Sequence, residues 1–133
     1  KRKYITSGNI VGLYRYNNNG ERDNTLVTTN MSLIVDKVLP LETGFIAASE
    51  MQLTPKRVVK IQRYNENGSV STEMPEIQIG DFVGIDIEVH RMVMSHSDSG
   101  AVDGFYVMLY LLSTVLRFMG INTSIRVTIS CQF

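Results

Sequence analysis

The closing segment, Ile121 to Phe133, constrains the fold more than any other part of the chain. Ile121, Thr123, Ile125, Val127, Ile129, Cys131 and Phe133 alternate without a miss with Asn122, Ser124, Arg126, Thr128, Ser130 and Gln132. A period of two marks a strand with one face on a core and the other in water, and such a strand needs a sheet to belong to. Cys131 falls on the apolar side, where it reads as a small buried hydrophobe before it reads as a reactive thiol.

Two more strands supply that sheet. From about Phe82 to Met94, Val83, Ile85, Ile87, Val89 and Val93 lie on one face and Asp86, Glu88 and His90 on the other. Thr25 to Leu39 groups Val27, Met31, Leu33 and Val35 and ends at Pro40. Val11 to Tyr16 and Pro55 to Tyr64 read as shorter strands, Phe45 to Ser49 as a small-residue strand or bend, and Val70 to Met74 as a return strand.

An internal echo accompanies them. "VGLYRYNNNG" at 11–20 and "VKIQRYNENG" at 59–68 share V-x-[LI]-x-R-Y-N-x-N-G. Both describe a strand entering a turn, because Asn and Gly tolerate the positive φ of tight hairpins. Two readings are open: symmetry-related loops that present Arg15/Tyr16 and Arg63/Tyr64 to one partner, or similar turns recruiting similar residues. The second has precedence.

The one helix expected spans about Gly100 to Met119, with Gly120 as its stop. On a wheel Asp103, Tyr106, Tyr110, Ser113, Thr114 and Arg117 share an arc of about a quarter turn, and the rest is apolar or Gly. Such a helix is covered over most of its circumference, either between the sheet and other strands or in part by another chain. Its uncharged run, Gly104 to Leu116, is 13 residues, short of the ~20 a membrane span needs. The expected fold class is therefore α+β: an antiparallel sheet or sandwich of about six strands with the helix of about 100–119 packed on it.

The 133 residues suit a single globular domain with its own core. Thirteen basic residues balance thirteen acidic ones, so no global field argues for nucleic acid, and polyanion binding needs a local patch. The single cysteine allows no intrachain disulfide, which favours a reducing compartment. Three glycosylation sequons begin at Asn30, Asn67 and Asn122, a number that an Asn- and Ser-rich chain produces by chance. The start at Lys1 without Met is that expected of a core lacking an N-terminal arm.

Three stretches carry candidate chemistry. "SHSDSG" at 95–100 holds His96, Asp98 and two serines, but a catalytic triad draws its members from separated segments. Asp98 or Ser99 capping the helix accounts for the segment better. Asp86, Glu88 and His90, with His96 beyond, could offer two ligands to a divalent ion, one or two short of a usual site. A solvated strand face is preferred, so no metal, cofactor or catalytic residue is expected. Lys56, Arg57, Lys60 and Arg63 make the only basic strand, suited either to guarding a sheet edge or to binding phosphate-bearing partners.

A β-rich first part, then a strand, then an apolar helix closing in "LSTVLRFMGI", in a chain rich in Met and Asn and without Trp, resembles the matrix proteins of negative-strand RNA viruses, of bornavirus and rhabdovirus type. The resemblance implies a non-enzymatic structural domain of the host cytoplasm or virion interior, peripheral to membranes. It would self-associate and contact anionic lipid, nucleoprotein or RNA, with no small-molecule substrate. On this reading Lys56, Arg57, Lys60 and Arg63 meet the anionic partner, and Tyr16, Tyr64, Tyr106 and Tyr110 form the oligomer or partner surface. Two alternatives stay open: a nucleic-acid-binding accessory or movement-type protein, and a metal-dependent or small-ligand enzyme using Asp86, Glu88 and His90.

Overall fold

The computed structural model describes residues 3–7, 12–28, 31, 34–53 and 56–133, apart from the side chains of Ser7, Leu53, Lys56, Asp81 and Phe82. Strand makes up 59% of the described residues and helix 5%, so the protein is mainly β rather than α+β. Its strands are β1 (Lys3–Ser7), β2 (Gly12–Tyr16), β3 (Lys37–Pro40), β4 (Phe45–Leu53), β5 (Lys56–Tyr64), β6 (Ile77–Val83), β7 (Ile85–His96), β8 (Val102–Ser113) and β9 (Ser124–Gln132). One short helix, α1 (Thr114–Phe118), separates the last two. Three sheets result, ordered β1-β2, β3-β4-β5-β6 and β7-β8-β9.

The chain divides into two compact units, Lys1–Ser49 with Ile61–Ile77, and Glu50–Lys60 with Gln78–Phe133. In the first, β1 pairs with β2, and β3 pairs with the opening residues of β4, antiparallel in both cases. Its core gathers Leu13, Met31, Val35, Phe45, Ala47 and Tyr64. Phe45 sits between Tyr4 and Tyr64, with ring centroids 5.1 and 5.3 Å away. In the second unit, β7, β8 and β9 form an antiparallel meander whose buried face carries Ile87, Val89, Met92, Phe105, Val107, Leu109 and Cys131.

The expected helix of about 100–119 is the main correction. Residues 102–113 are the central strand of the meander, paired to β7 on one side and β9 on the other, and only Thr114–Phe118 are helical. The wheel misled because Tyr106 and Tyr110 are four apart. An interval of four keeps two residues on one side of a helix and equally on one side of a strand. Odd intervals distinguish the two periods, and there Phe105, Val107 and Leu109 are buried while Tyr106 is exposed. The element order that carries the resemblance to viral matrix proteins therefore lacks its long helix. Gly120, at φ 81°, does end the helix that exists. Ile121 N–H reaches Leu116 O at 2.8 Å and Gly120 N–H reaches Arg117 O at 3.0 Å, the paired bonds of a Schellman stop.

Other boundaries also move. The strand expected from Phe82 to Met94 is interrupted at Gly84 and divides into β6 and β7. Of the strand expected over Thr25 to Leu39, Lys37–Leu39 lies in β3, Asn24 and Thr25 form a turn, and 29, 30, 32 and 33 lie outside the described residues. Val70 makes one bridge, to Tyr64, rather than opening a return strand. Cap and turn exchange places as well: Ser97–Ala101 is the β7–β8 hairpin turn, and the true cap of α1 is Ser113, whose hydroxyl accepts from Leu116 N–H at 3.3 Å.

The turn at 97–101 shares its geometry with those at 17–21 and 65–69. In each, the first residue's N–H bonds the carbonyl of the fifth at 2.8 Å, and a glycine in fourth place returns its N–H to the first residue's carbonyl. Gly20, Gly68 and Gly100 hold φ of 86°, 89° and 85°, as a three-residue hairpin loop ending in a left-handed residue requires. The "RYNxNG" echo is thus a shared turn. Its two copies present opposite faces: Arg15 is buried and Tyr16 half-buried, whereas Arg63 is half-buried and Tyr64 buried.

Candidate functional site

The most unusual surface lies where β8 passes through α1 into β9. Five residues cannot sustain a helix by propensity, and no residue of α1 is buried. Polar contacts at its ends hold it instead. Thr114 sends both its N–H and its hydroxyl to Gly84 O, at 2.9 and 3.0 Å. Arg117 Nη1 binds Asp86 Oδ2 at 2.9 Å, and the Schellman bonds close the far end. What this scaffold displays is apolar: Phe118 is 94% exposed and Met119 67%, along the chain with exposed Val115, Leu116 and Ile121, and Ile125 at the start of β9 is 65% exposed. Val83, one residue before the Gly84 carbonyl that anchors Thr114, is 68% exposed. Single apolar residues on a surface are ordinary, but a contiguous group marks an interaction site.

The outer face of the meander adjoins it. Tyr106 is exposed and Tyr110 half-buried, on the same side of β8. Tyr110 stands between its cross-strand partners Glu88 and Arg126, with the Arg126 guanidinium 5.6 Å from its ring centre and the His90 ring 5.0 Å away. These contacts form a tyrosine platform with mixed charge at its sides.

The predicted residues scatter. β5 is an inner strand of its sheet, not an exposed edge, and Val58, Val59, Ile61 and Gln62 are buried along it. Arg57 Nε bonds Gln52 Oε1 at 3.0 Å and lies 3.7 Å from Asp86 Oδ1. Arg63 is paired with Glu73 at 2.9 Å. Lys60 is half-buried, and the Lys56 side chain lies outside the described residues. Of the four tyrosines, Tyr64 is 1% exposed and out of any partner's reach. Tyr16 borders an open hollow of about 440 Å³ with Lys3, Ile5 and Asn17.

The acids and histidines considered for metal binding are engaged singly. Asp86 serves Arg117 and Arg57, Glu88 is exposed on its strand, and His90, exposed on the same face, packs on the Tyr110 ring where the β7–β8 register shifts between Val89 and Arg91. Among the described residues no three His, Cys, Asp or Glu side chains converge on one point. The exposed end at 115–125 was visible in sequence as apolar residues on both sides of Gly120, a pattern that one short turn cannot bury. No protein-family model, curated protein or solved structure matches the chain.

Proposed function

We propose that the protein is a non-enzymatic interaction domain that self-associates through the apolar end of its three-stranded sheet. The observation that carries this reading is the exposure of Phe118, Met119 and Val115 on a turn held in place by caps and an ion pair, with Ile125 exposed at the start of β9. Covering one such side chain contributes about 1.5–3 kcal/mol, so covering several supplies the driving force for a stable contact. A protein partner fits this end better than an anionic membrane, because the cation of its helix, Arg117, is already neutralised by Asp86. Contact with phosphate-bearing partners through β5 has less support, since Arg57 and Arg63 are each engaged with acids.

Light scattering over a range of protein concentrations tests the reading. The unmodified chain is expected to associate, and Phe118→Ser with Met119→Ser is expected to weaken that association at unchanged melting temperature. A monomer at high concentration would sink the proposal, and a monomer retained on phosphatidylserine vesicles would reassign the apolar end to lipid.

A further inference from the structure

We propose that two copies join by antiparallel pairing of β9 with β9, giving one continuous six-stranded sheet; this rests on the self-association reading and specifies its geometry.

The two outer strands of the meander are built differently. β7 carries Asp86, Glu88, His90 and Arg91, its register shifts between Val89 and Arg91 and again between Ser95 and His96, and Val89 N–H donates to Glu50 Oε1 at 2.6 Å. Charges, bulges and a side-chain cap are the devices that keep a second strand from adding to an edge. Among the described residues β9 has no bulge, no side-chain cap and a single charge. It runs from Ser124 to Gln132 without Pro, Gly or acid, with Arg126 as its one charge, and pairs with β8 from Leu112↔Ser124 to Gly104↔Gln132 without a shift. Among the described residues no strand lies against its other side. A nine-residue strand is roughly 30 Å long and turns about half of its N–H and C=O groups outward. Water satisfies such a row in the monomer, and a second strand satisfies it with a full ladder.

The occupant is a second copy because β9 is self-complementary. A two-fold axis at Thr128, its middle residue, pairs all nine residues and places Arg126 opposite Ser130, Ser124 opposite Gln132 and Val127 opposite Ile129. No like charges meet, and odd positions face odd positions, so the apolar sides of both copies become one surface. The same axis carries the exposed Ile125 of each copy to the other's Cys131 and Phe133, where Phe133 is also exposed. One operation therefore covers the strand edge and the part of the apolar end that adjoins it, in the closed, isologous form most homodimers take.

Ser130 is exposed and on the polar side of β9, so its variants test the pairing without disturbing the core. Ser130→Lys sets a lysine opposite the partner's Arg126 twice per dimer and should weaken dimerisation roughly tenfold. Ser130→Glu should tighten it several-fold. Hydrogen exchange at low and high concentration should show β9 amides gaining protection on dimerisation. Dimers indifferent to both substitutions, with β9 exchange independent of concentration, would overturn the strand pairing and leave self-association standing. A chain that is monomeric throughout removes both.

Discussion

Arg15 Nε donates to Asp23 Oδ2 at 2.8 Å from a side chain with no solvent exposure at all. The remainder of the guanidinium is shared. Nη2 donates to Thr25 Oγ1 at 2.8 Å, Glu66 Oε2 lies 3.7 Å from Nη1, and the Tyr4 ring centre is 6.0 Å from Cζ. Glu66 in turn accepts from Gly44 N–H, so the cation ties the first hairpin to both ends of the loop pair around it. A buried charge holds only while its partners remain, because stripping one away leaves the desolvation cost uncompensated.

Asp23→Ala should therefore destabilise the protein by about 3 kcal/mol, the lower end of the range for breaking a buried pair, since Glu66 stays within reach. Urea denaturation measures this directly. An effect under 1 kcal/mol would mean that Arg15 is solvated in solution.

The same pair predicts an acid response. The Thr25 hydroxyl, its N–H and Arg15 together outweigh the opposing effect of burial and lower the Asp23 carboxyl from 3.8 to about 2. A folded-state value below the unfolded one adds stability above pH 3.8 and loses it as pH falls towards 2. Melting temperature should drop over that interval, and Asp23→Asn should flatten the drop.

Tyr64 offers a contrasting case, a buried hydroxyl with no hydrogen-bond partner among the described residues, whose pKa burial raises, with Glu76 adding to the shift. Removing a group that makes no bond in the folded state forfeits nothing there and spares its desolvation. Tyr64→Phe should be neutral or stabilising by up to about 1 kcal/mol, whereas Tyr64→Ala should cost about 3–5 kcal/mol, because the Phe45 stack loses its neighbour. Thermal unfolding of the two variants gives the comparison.

The three equivalent turns yield a ranking. A Cβ at Gly20 or Gly100 meets open space, so alanine there costs only left-handed strain, about 1–2 kcal/mol. At Gly68 a Cβ would also stand 2.7 Å from Val27 O, so Gly68→Ala should be the most destabilising of the three. Equal losses at all three would show that the 65–69 loop shifts freely.

Cys131 should be slow to react with thiol reagents at pH 8 in the folded protein, because burial pushes its pKa up and disfavours the thiolate. Prompt labelling under native conditions would show that β9 opens from β8 on that timescale.

Much of this architecture is local in origin and so was legible from the residues alone. Of the alternation over 121–133, Ser124–Gln132 appears as β9, and Asn-x-Asn-Gly appears twice as one hairpin turn. Gly120 stops a helix, because only its left-handed backbone lets Leu116 and Arg117 find donors. Each of these signals depends on the chain's neighbours within a few residues, where side-chain period and backbone φ decide the outcome. The identity of 102–113 does not. Ser97-Asp98-Ser99-Gly100 satisfies free N–H groups equally well as a cap or as a turn, and Tyr106 and Tyr110 share a side under either period. Pairing with β7 and β9 at once makes this segment a strand, and that choice leaves Phe118 and Met119 outside instead of in a core. Periodicity determined β9 and the tight turns, but it gave 102–113 to a helix and so an α+β class that the mainly β fold overturns. Long-range hydrogen bonding, which no short window contains, decided which strand is central, which edge is open and which apolar residues remain for a partner.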